Sequence, residues 1–234
     1  MEGTPDIRED MAEFRTKFSR VPELTDDQLR EVIANYYGMI SLIDHNVGRI
    51  LAELDRLGLS DNTIVVYSSD HGDWLGDHGL LLKGPMMYEG LLRVGCIFKG
   101  PGVPSGKQVD DPVSNLDFAA TFLDYAGLAP LERLHSQSLR PLIETDNASR
   151  DYAFSEWELR PSRSGVRLQL QTVRTKTHKL TVDQISGAGE LYDLINDPHE
   201  RDNLFDCPEH QATRVDLENC LTDRPDDTLS LIHI

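Results

Sequence analysis

The sequence predicts an α/β protein in which a largely parallel sheet flanked by helices is followed by a small antiparallel sheet. In the first half of the chain, apolar residues at helical spacing predict helices, and short apolar runs predict strands. The predicted order is helix, strand, loop, strand and helix, which is typical of α/β folds. A loop rich in Asp, His and Gly follows the first strand directly. After about residue 150 the apolar runs become shorter and mixed in polarity, which favours an antiparallel sheet with one exposed face.

Composition and charge indicate a folded protein and argue against some classes of partner and site. The chain has 234 residues, of which 39% are hydrophobic, so it can bury a core. A formal net charge of −17 argues against a nucleic-acid partner, because phosphate binding requires a basic face. No apolar run is long enough to span a bilayer, and the acidic N-terminus does not resemble a secretory signal. Cytoplasmic is the default compartment on this ground, but the compartment stays open because we expect the true N-terminus to lie upstream of Met1. The cysteines Cys96, Cys207 and Cys220 are too scattered for a disulfide framework or a zinc site.

The clearest single element is a long helix. Residues 1–23 are weakly periodic, and we expect a lead-in with a short helix near 8–18. Thr25 and Gln28 then form a capping-box pattern, and apolar residues recur at helical spacing until Gly58, a residue type that commonly ends helices. This pattern predicts a helix with one apolar stripe buried against a sheet.

Two strands and a second helix follow. The run 63–67 is apolar, β-branched and too short for a helix, so it predicts a fully buried strand. The run 93–98 ends at a Gly-Pro-Gly sequence and predicts the next strand, and a capped helix begins at 114–117 and reaches Gly127.

The chain after residue 150 predicts a smaller subdomain. Its predicted strands are 152–157, 169–174, 179–182 and 190–194, and its predicted helix is 208–221. We therefore expect three regions: residues 1–150 with the largely parallel α/β sheet, residues 151–221 with the small antiparallel sheet and a terminal helix, and an irregular tail, 222–234.

The loop at 68–90 contains a candidate cation site. Asp70 and His71 directly follow the first strand, where open α/β sheets place ligands, and a carboxylate with a neutral imidazole suits a divalent cation. Asp-His-Gly is also common in turns, so this pair alone does not decide between a site and a turn. The strand before the pair and Lys83 after it favour a site.

Lys83 and His78 each allow two interpretations. In a site for an anionic substrate, the Lys83 ammonium would bind the transferred group and its leaving oxygen, whereas most lysines are only solvated. His78 would donate to the same oxyanion or act as a general acid, or it is a loop histidine without a catalytic role. Gly72 and Gly76 are expected to let the loop turn sharply.

The loop and its flanks resemble the sulfatase family of the alkaline-phosphatase superfamily, over about residues 25–220. In the loop, the matching motifs are Ser69-Asp70-His71-Gly72-Asp73, Leu75-Gly76-Asp77-His78-Gly79, Lys83-Gly84 and Met87-Tyr88-Glu89. On the flanks they are 36–40 with Asp44, 48–50, Arg93-Val94, 100–102, 114–117 with 120–123, and 190–194 with Asp197-Pro198, Glu200 and Asn203-Leu204. Taken jointly, these motifs are specific.

The resemblance implies an alkaline-phosphatase-like fold and the hydrolysis of a sulfated small molecule or saccharide. Asp70 and His71 would be two ligands of a divalent cation, usually calcium, and Lys83 would contact the sulfate ester. The nucleophile of the family is a formylglycine hydrate, which attacks sulfur before the leaving alcohol is protonated.

The sequence departs from the family at the nucleophile. Formylglycine is made from the first residue of a Cys/Ser-x-Pro-x-Arg motif, which is absent here; the nearest sequence, 159–163, begins with Leu159. The paired aspartates and the sulfate-binding histidine that the family carries upstream are also missing. We therefore expect a C-terminal part of a sulfatase that hydrolyses nothing alone.

Other interpretations stay open from the sequence. A phosphonate or phosphate monoester hydrolase of the same superfamily would use the same cation ligands and lysine. A non-catalytic relative that binds a cation, or an α/β domain whose loop only caps a strand, would need no nucleophile. The alcohol of the substrate is undetermined: a loop with Trp157, Arg160, Arg163 and Arg167 suits an acidic saccharide, although an exposed basic loop is the simpler explanation.

Overall fold

The computed structural model describes residues 24–129, 135–147, 150–159 and 167–224. They form two compact units that divide between Lys107 and Gln108. The predicted lead-in and its short helix, the loop arginines Arg160 and Arg163, and residues 225–234 of the predicted tail lie outside the described residues. The units are defined by which residues pack together, whereas the predicted regions 1–150 and 151–221 are defined by sequence pattern. The predicted boundary near residue 150 therefore stays a prediction.

The first unit begins with helix α1, Asp26–Arg56. Its predicted capping box is confirmed, because the backbone N–H of Gln28 donates to Thr25 Oγ1 and the backbone N–H of Thr25 donates to Gln28 Oε1. Gly58 follows the helix with φ +67°, as expected of a glycine that ends one. The predicted buried stripe was wrong: no residue of α1 is buried, because no second layer covers the helix among the described residues.

Strands β1, Val65–Ser68, and β2, Cys96–Lys99, form an antiparallel pair. The prediction of a fully buried first strand was also wrong, since Tyr67 is 37% exposed and its partner Ile97 is 61% exposed. A strand is fully buried only when layers cover both sheet faces, and this two-stranded sheet has no such cover in the described part of the chain. No parallel pair occurs among the described strands.

The core of the first unit lies in the loop between β1 and β2. This loop contains a 3-10 turn, Asp77–Gly79, and a short helix α2, Glu89–Leu92. Its buried apolar side chains are Trp74, Leu80, Met86, Met87, Tyr88 and Leu91, each at most 3% exposed. The Asp73 carboxylate fixes the loop by accepting the backbone N–H groups of Leu75 and Leu82. The loop is therefore a packed structure with its own core.

The second unit opens with helices α3, Asp117–Tyr125, and α4, Arg140–Thr145. The Asp117 carboxylate is fully buried and accepts the backbone N–H groups of Ser114 and Gln137 and the guanidinium of Arg150. One buried carboxylate thus links three segments that are distant in sequence.

The predicted antiparallel sheet is confirmed. Its strands are β3 Tyr152–Leu159, β4 Leu168–Thr175, β5 His178–Asp183 and β6 Gly189–Asp193, each antiparallel to the next in chain order. A 3-10 turn, Pro208–His210, leads into helix α5, Gln211–Thr222, and α5 packs Leu217 on a core of Val173, Leu180, Leu191 and Phe205. Neither α1 nor any other helix of the described ranges combines the length and apolarity needed to cross a membrane.

Candidate active site

Three of the four predicted site residues converge at the end of β1. Lys83 Nζ lies 2.8 Å from His71 Nε2, and Asp70 Oδ2 lies 3.6 Å from the same nitrogen. The Asp70 side chain is 60% exposed and that of His71 is 32% exposed, so both can reach a ligand from solvent. A carboxylate, an imidazole and an ammonium group therefore share one open position.

The backbone after β1 is held by short local hydrogen bonds. The Ser69 hydroxyl donates to the carbonyl of His71 at 2.7 Å, and the backbone N–H of His71 donates to Asp70 Oδ1 at 3.0 Å. The backbone N–H of Gly72 donates to the carbonyl of Leu91 in α2 at 2.8 Å. These bonds tie the candidate ligands to the packed loop.

The hydrogen-bond partners of His71 favour one tautomer of its ring. An ammonium group has only donors, so Lys83 Nζ donates to Nε2, and Nε2 carries the lone pair. Nδ1 lies 2.8 Å from the carbonyl of Gly72, which can only accept, so Nδ1 carries the proton. In this tautomer, Nε2 of His71 could offer its electron pair to another ligand once Lys83 moves away.

The carboxyl of Asp70 is ionised at neutral pH. The hydrogen bond from the backbone N–H of His71 is the largest effect that lowers the pKa of Asp70 below its ordinary value. The positive charge of the His71 ring when it is protonated lowers this pKa next, and the charge of Lys83 has a smaller effect in the same direction. A charged carboxylate and a neutral imidazole are the protonation states that metal ligands require.

The spacing of Asp70 and His71 is close to that of two ligands on one cation. Two oxygen or nitrogen ligands at right angles on Ca²⁺ lie about 3.4 Å apart for bonds of about 2.4 Å, close to the observed 3.6 Å. Calcium takes about six to eight ligands. In the part of the chain that the structure describes, no group of three or more His, Cys, Asp or Glu side chains could hold a metal ion, so the cation role of Asp70 and His71 stays a prediction.

His78 occupies a different environment. It lies in the 3-10 turn with φ +55°, and its ring stacks on the buried Tyr88 ring, with centroids 3.6 Å apart and an interplanar angle of 7°. The catalytic role predicted for His78 stays a prediction.

The sequence reasoning missed what Gly72 does. Gly76 has φ +103° and does permit the expected turn, but Gly72 is not in the left-handed region. Gly72 instead lies against the backbone of α2, where a Cβ would meet the carbonyl oxygen of Gly90 at 2.0 Å. The available signal was a glycine directly after the Asp-His pair, but the residue that it touches lies 18 positions further along the chain.

Two family models match the chain. The model described as Sulfatase matches residues 6–128, and the model described as N-sulphoglucosamine sulphohydrolase, C-terminal, matches residues 76–227. Together they cover the candidate site and both packed units.

Curated relatives are sulfatases of greater length. An N-acetylglucosamine-6-O-sulfatase of Bacteroides thetaiotaomicron is 30% identical over 221 residues, which is 90% of this chain and 38% of the relative. An arylsulfatase of Clostridium perfringens is 34% identical over 80% of this chain and 38% of the relative. The chain therefore spans well under half the length of these relatives.

Solved structures share the fold. A 2-O GAG sulfatase matches with a TM-score of 0.80 and 29% identity over 88% of this chain and 46% of its own. A protein in complex with its substrate D-glucosamine-2-N,6-O-disulfate matches at 0.77 with 28% identity over 92% and 44%. A phosphonate monoester hydrolase of Agrobacterium radiobacter also matches at 0.77, with 31% identity over 85% and 42%. The predicted alkaline-phosphatase-like α/β fold is thereby confirmed.

Proposed function

The chain belongs to the sulfatase family, and we propose that it supplies the Asp-His-Lys part of an active site that hydrolyses a sulfate ester. The observation that carries this proposal is the convergence of Asp70, His71 and Lys83 at the end of β1, with the carboxylate oxygen and the ammonium group both within 3.6 Å of His71 Nε2. The sulfatase relatives support a sulfuric ester hydrolase as the activity of the whole protein.

Asp70 and His71 would hold a divalent cation, with calcium as the ion that the family resemblance implies. Both residues fit this role, since one is ionised and the other presents a lone pair on Nε2. When bound, the cation would supply positive charge beside the sulfate oxygens. The remaining ligands would come from residues other than these two.

Lys83 would bind the substrate rather than position the histidine. The Nε2 atom has one lone pair in the ring plane, so Lys83 and a cation compete for it. If His71 holds a cation, Lys83 releases Nε2 and its N–H groups can donate to a sulfate oxygen or to the leaving oxygen. A fixed ammonium group in that position stabilises the charge that develops as the ester bond breaks.

The nucleophile of this proposal lies outside the 234 residues. No Cys/Ser-x-Pro-x-Arg sequence occurs in the chain, so the formylglycine of this proposal would come from residues other than these 234. In this proposal His78 would protonate the leaving alcohol, because an imidazole can act as a general acid near neutral pH.

A sulfated saccharide is the substrate class that we propose. One relative is an N-acetylglucosamine-6-O-sulfatase, and one structural neighbour is a complex with a glucosamine disulfate. A phosphonate monoester hydrolase is the second candidate, because the neighbour from Agrobacterium radiobacter is as similar to the chain as the sulfatases are. Sulfate and phosphonate esters differ mainly in charge, so the same cation ligands and lysine suit either.

Substrate competition on the complete product of the gene tests the proposal. The protein is assayed with 4-nitrophenyl sulfate, glucosamine 6-sulfate and a phenylphosphonate monoester, with calcium and after EDTA. We expect kcat/KM to favour a sulfate ester and to collapse after EDTA. A higher kcat/KM for the phosphonate ester would transfer the assignment to the second candidate, and no turnover of any ester with calcium present would overturn both.

A further inference from the structure

We infer that Gly72 is a positioning residue for His71: its carbonyl sets the imidazole tautomer, and its missing side chain lets that carbonyl reach its place. This inference rests on the proposed role of His71 as a cation ligand. Three features of one residue carry it, namely the partner of its N–H group, the partner of its carbonyl oxygen and the lack of room for a Cβ.

The carbonyl of Gly72 selects the nitrogen that faces the site. With the proton of Nδ1 donated to this carbonyl at 2.8 Å, Nε2 can only be an acceptor. Histidine ligands of metals generally donate their second ring N–H to a carbonyl or carboxylate, which fixes the ring orientation and the tautomer. Gly72 would do this for its own neighbour in sequence.

The close approach of α2 explains why the residue is glycine. A Cβ at Gly72 would lie 2.0 Å from the carbonyl oxygen of Gly90, 3.1 Å from its carbonyl carbon and 3.4 Å from Leu91 Cα. All three atoms belong to the backbone of α2, so no side chain can rotate away. The N–H of Gly72 donates to the Leu91 carbonyl at 2.8 Å and holds the two backbones at this distance.

Gly90 provides a matched control on the opposite side of the same approach. A Cβ at Gly90 would meet only the carbonyl oxygen of Asp73 at 3.7 Å and Asp77 Oδ2 at 3.8 Å, which are ordinary van der Waals distances. Neither glycine has a positive φ, so steric overlap alone separates them. Gly72→Ala should therefore displace the ligand pair, whereas Gly90→Ala should not.

The experiment reads the tautomer directly. The complete gene product is labelled with ¹⁵N at histidine, and long-range ¹H–¹⁵N spectra are recorded in EDTA at about pH 8, where an ordinary histidine with a pKa of about 6.5 is neutral. The His71 signal is the one that His71→Gln removes. We expect the Nδ1–H pattern in the wild type and in Gly90→Ala, and a loss of that pattern in Gly72→Ala.

Calcium affinity, measured by calorimetry on the same proteins, is the second readout. We expect Gly72→Ala to weaken calcium binding at least tenfold and to lower kcat, with Gly90→Ala unchanged in both. An Nε2–H pattern in the wild type overturns the inference without any variant. The inference can therefore be tested even if the Gly72→Ala protein does not fold. Unchanged tautomer and calcium affinity in a folded Gly72→Ala protein also overturn it. If the wild type shows the Nδ1–H pattern but binds no calcium, the proposed cation role fails and the assignment of the tautomer stands.

Discussion

At the scale of single residues, His71 is the centre of the candidate site because it lies between a donor and an acceptor. Lys83 faces Nε2, and the carbonyl of Gly72 faces Nδ1, each at 2.8 Å. This arrangement makes Nδ1 the donor and Nε2 the acceptor of the ring, and it makes Lys83 a competitor of any cation that binds Nε2.

Lys83→Met should separate cation binding from catalysis. Removal of the ammonium group removes both a positive charge and a competitor 2.8 Å from His71 Nε2, so we expect calcium affinity to rise several-fold. The same variant should lose about 100-fold in kcat, the usual effect of deleting one group that stabilises transition-state charge. Calorimetry and steady-state kinetics measure the two effects. Lys99→Met, at an exposed lysine of β2, is the control, and weaker calcium binding by Lys83→Met would contradict the competition.

Asp183 is the last residue of β5, and the stability that its buried carboxylate contributes should depend on pH. Burial raises its pKa, but hydrogen bonds from Ser186, Gln169 and Ile185 outweigh burial and lower the pKa of Asp183 below its ordinary value. A carboxyl with a lowered folded-state pKa contributes stability above its unfolded-state pKa, and this contribution disappears as the pH falls through the folded-state pKa. Asp183→Asn should therefore cost about 2 kcal/mol in the free energy of unfolding at pH 7.

The pH dependence distinguishes this charge effect from a loss of packing. We expect the difference between wild type and Asp183→Asn to shrink as the pH is lowered below about 4. Urea unfolding at a series of pH values measures this difference. A gap that stays constant into acid would show that the charge of Asp183 contributes nothing.

At the scale of elements, local patterns predicted the structure better than they predicted which elements pack together. The Thr25 capping box placed the start of α1, and the mixed apolar runs after residue 150 placed all four strands of the antiparallel sheet. Both depend on residues within a few positions of one another. The burial of α1 and β1 was not predictable in the same way, because a sequence pattern shows which face is apolar and not whether another layer covers it. Likewise, the approach of Gly72 to Gly90 joins positions whose closeness only the folded loop reveals.

A buried ion pair connects β5 with the segment after β6. Lys179 is 1% exposed and pairs with Glu200, which is 2% exposed and has φ +55°. Lys179→Met leaves the Glu200 carboxylate buried without this lysine, which should cost about 3–5 kcal/mol in the free energy of unfolding. The double variant Lys179→Met/Glu200→Gln should recover most of this loss, since it buries no charge.

Urea unfolding of the single and double variants measures the coupling of this pair. Lys176→Met is the matched control, because the side chain of Lys176 is 54% exposed in its pair with Asp111, and this variant should cost less than about 1 kcal/mol. Losses that simply add in the double variant would show that Lys179 and Glu200 do not act as a pair.

At the scale of the whole molecule, the candidate site is chemically incomplete. Among the described residues, Asp70, His71 and Lys83 bring a carboxylate, an imidazole and an ammonium group together, and the 234 residues contain no formylglycine motif. The chain spans 38% of the length of the N-acetylglucosamine-6-O-sulfatase and of the arylsulfatase that it matches. The net charge of −17 repels an anionic substrate from the chain as a whole. Binding of such a substrate would therefore depend on positive charge in the site, from Lys83 and from the proposed cation.

The isolated 234-residue chain should therefore hydrolyse no sulfate ester. Without a nucleophile, Asp70, His71 and Lys83 can bind and neutralise a sulfate group but cannot open the ester bond. The purified chain is incubated with 4-nitrophenyl sulfate and calcium, and release of nitrophenol is compared with that of the Lys83→Met chain, which removes the site but keeps any contaminant. Equal background rates are expected. Turnover that depends on Lys83 and calcium would show that the chain contains its own nucleophile and would contradict this assignment of the active site.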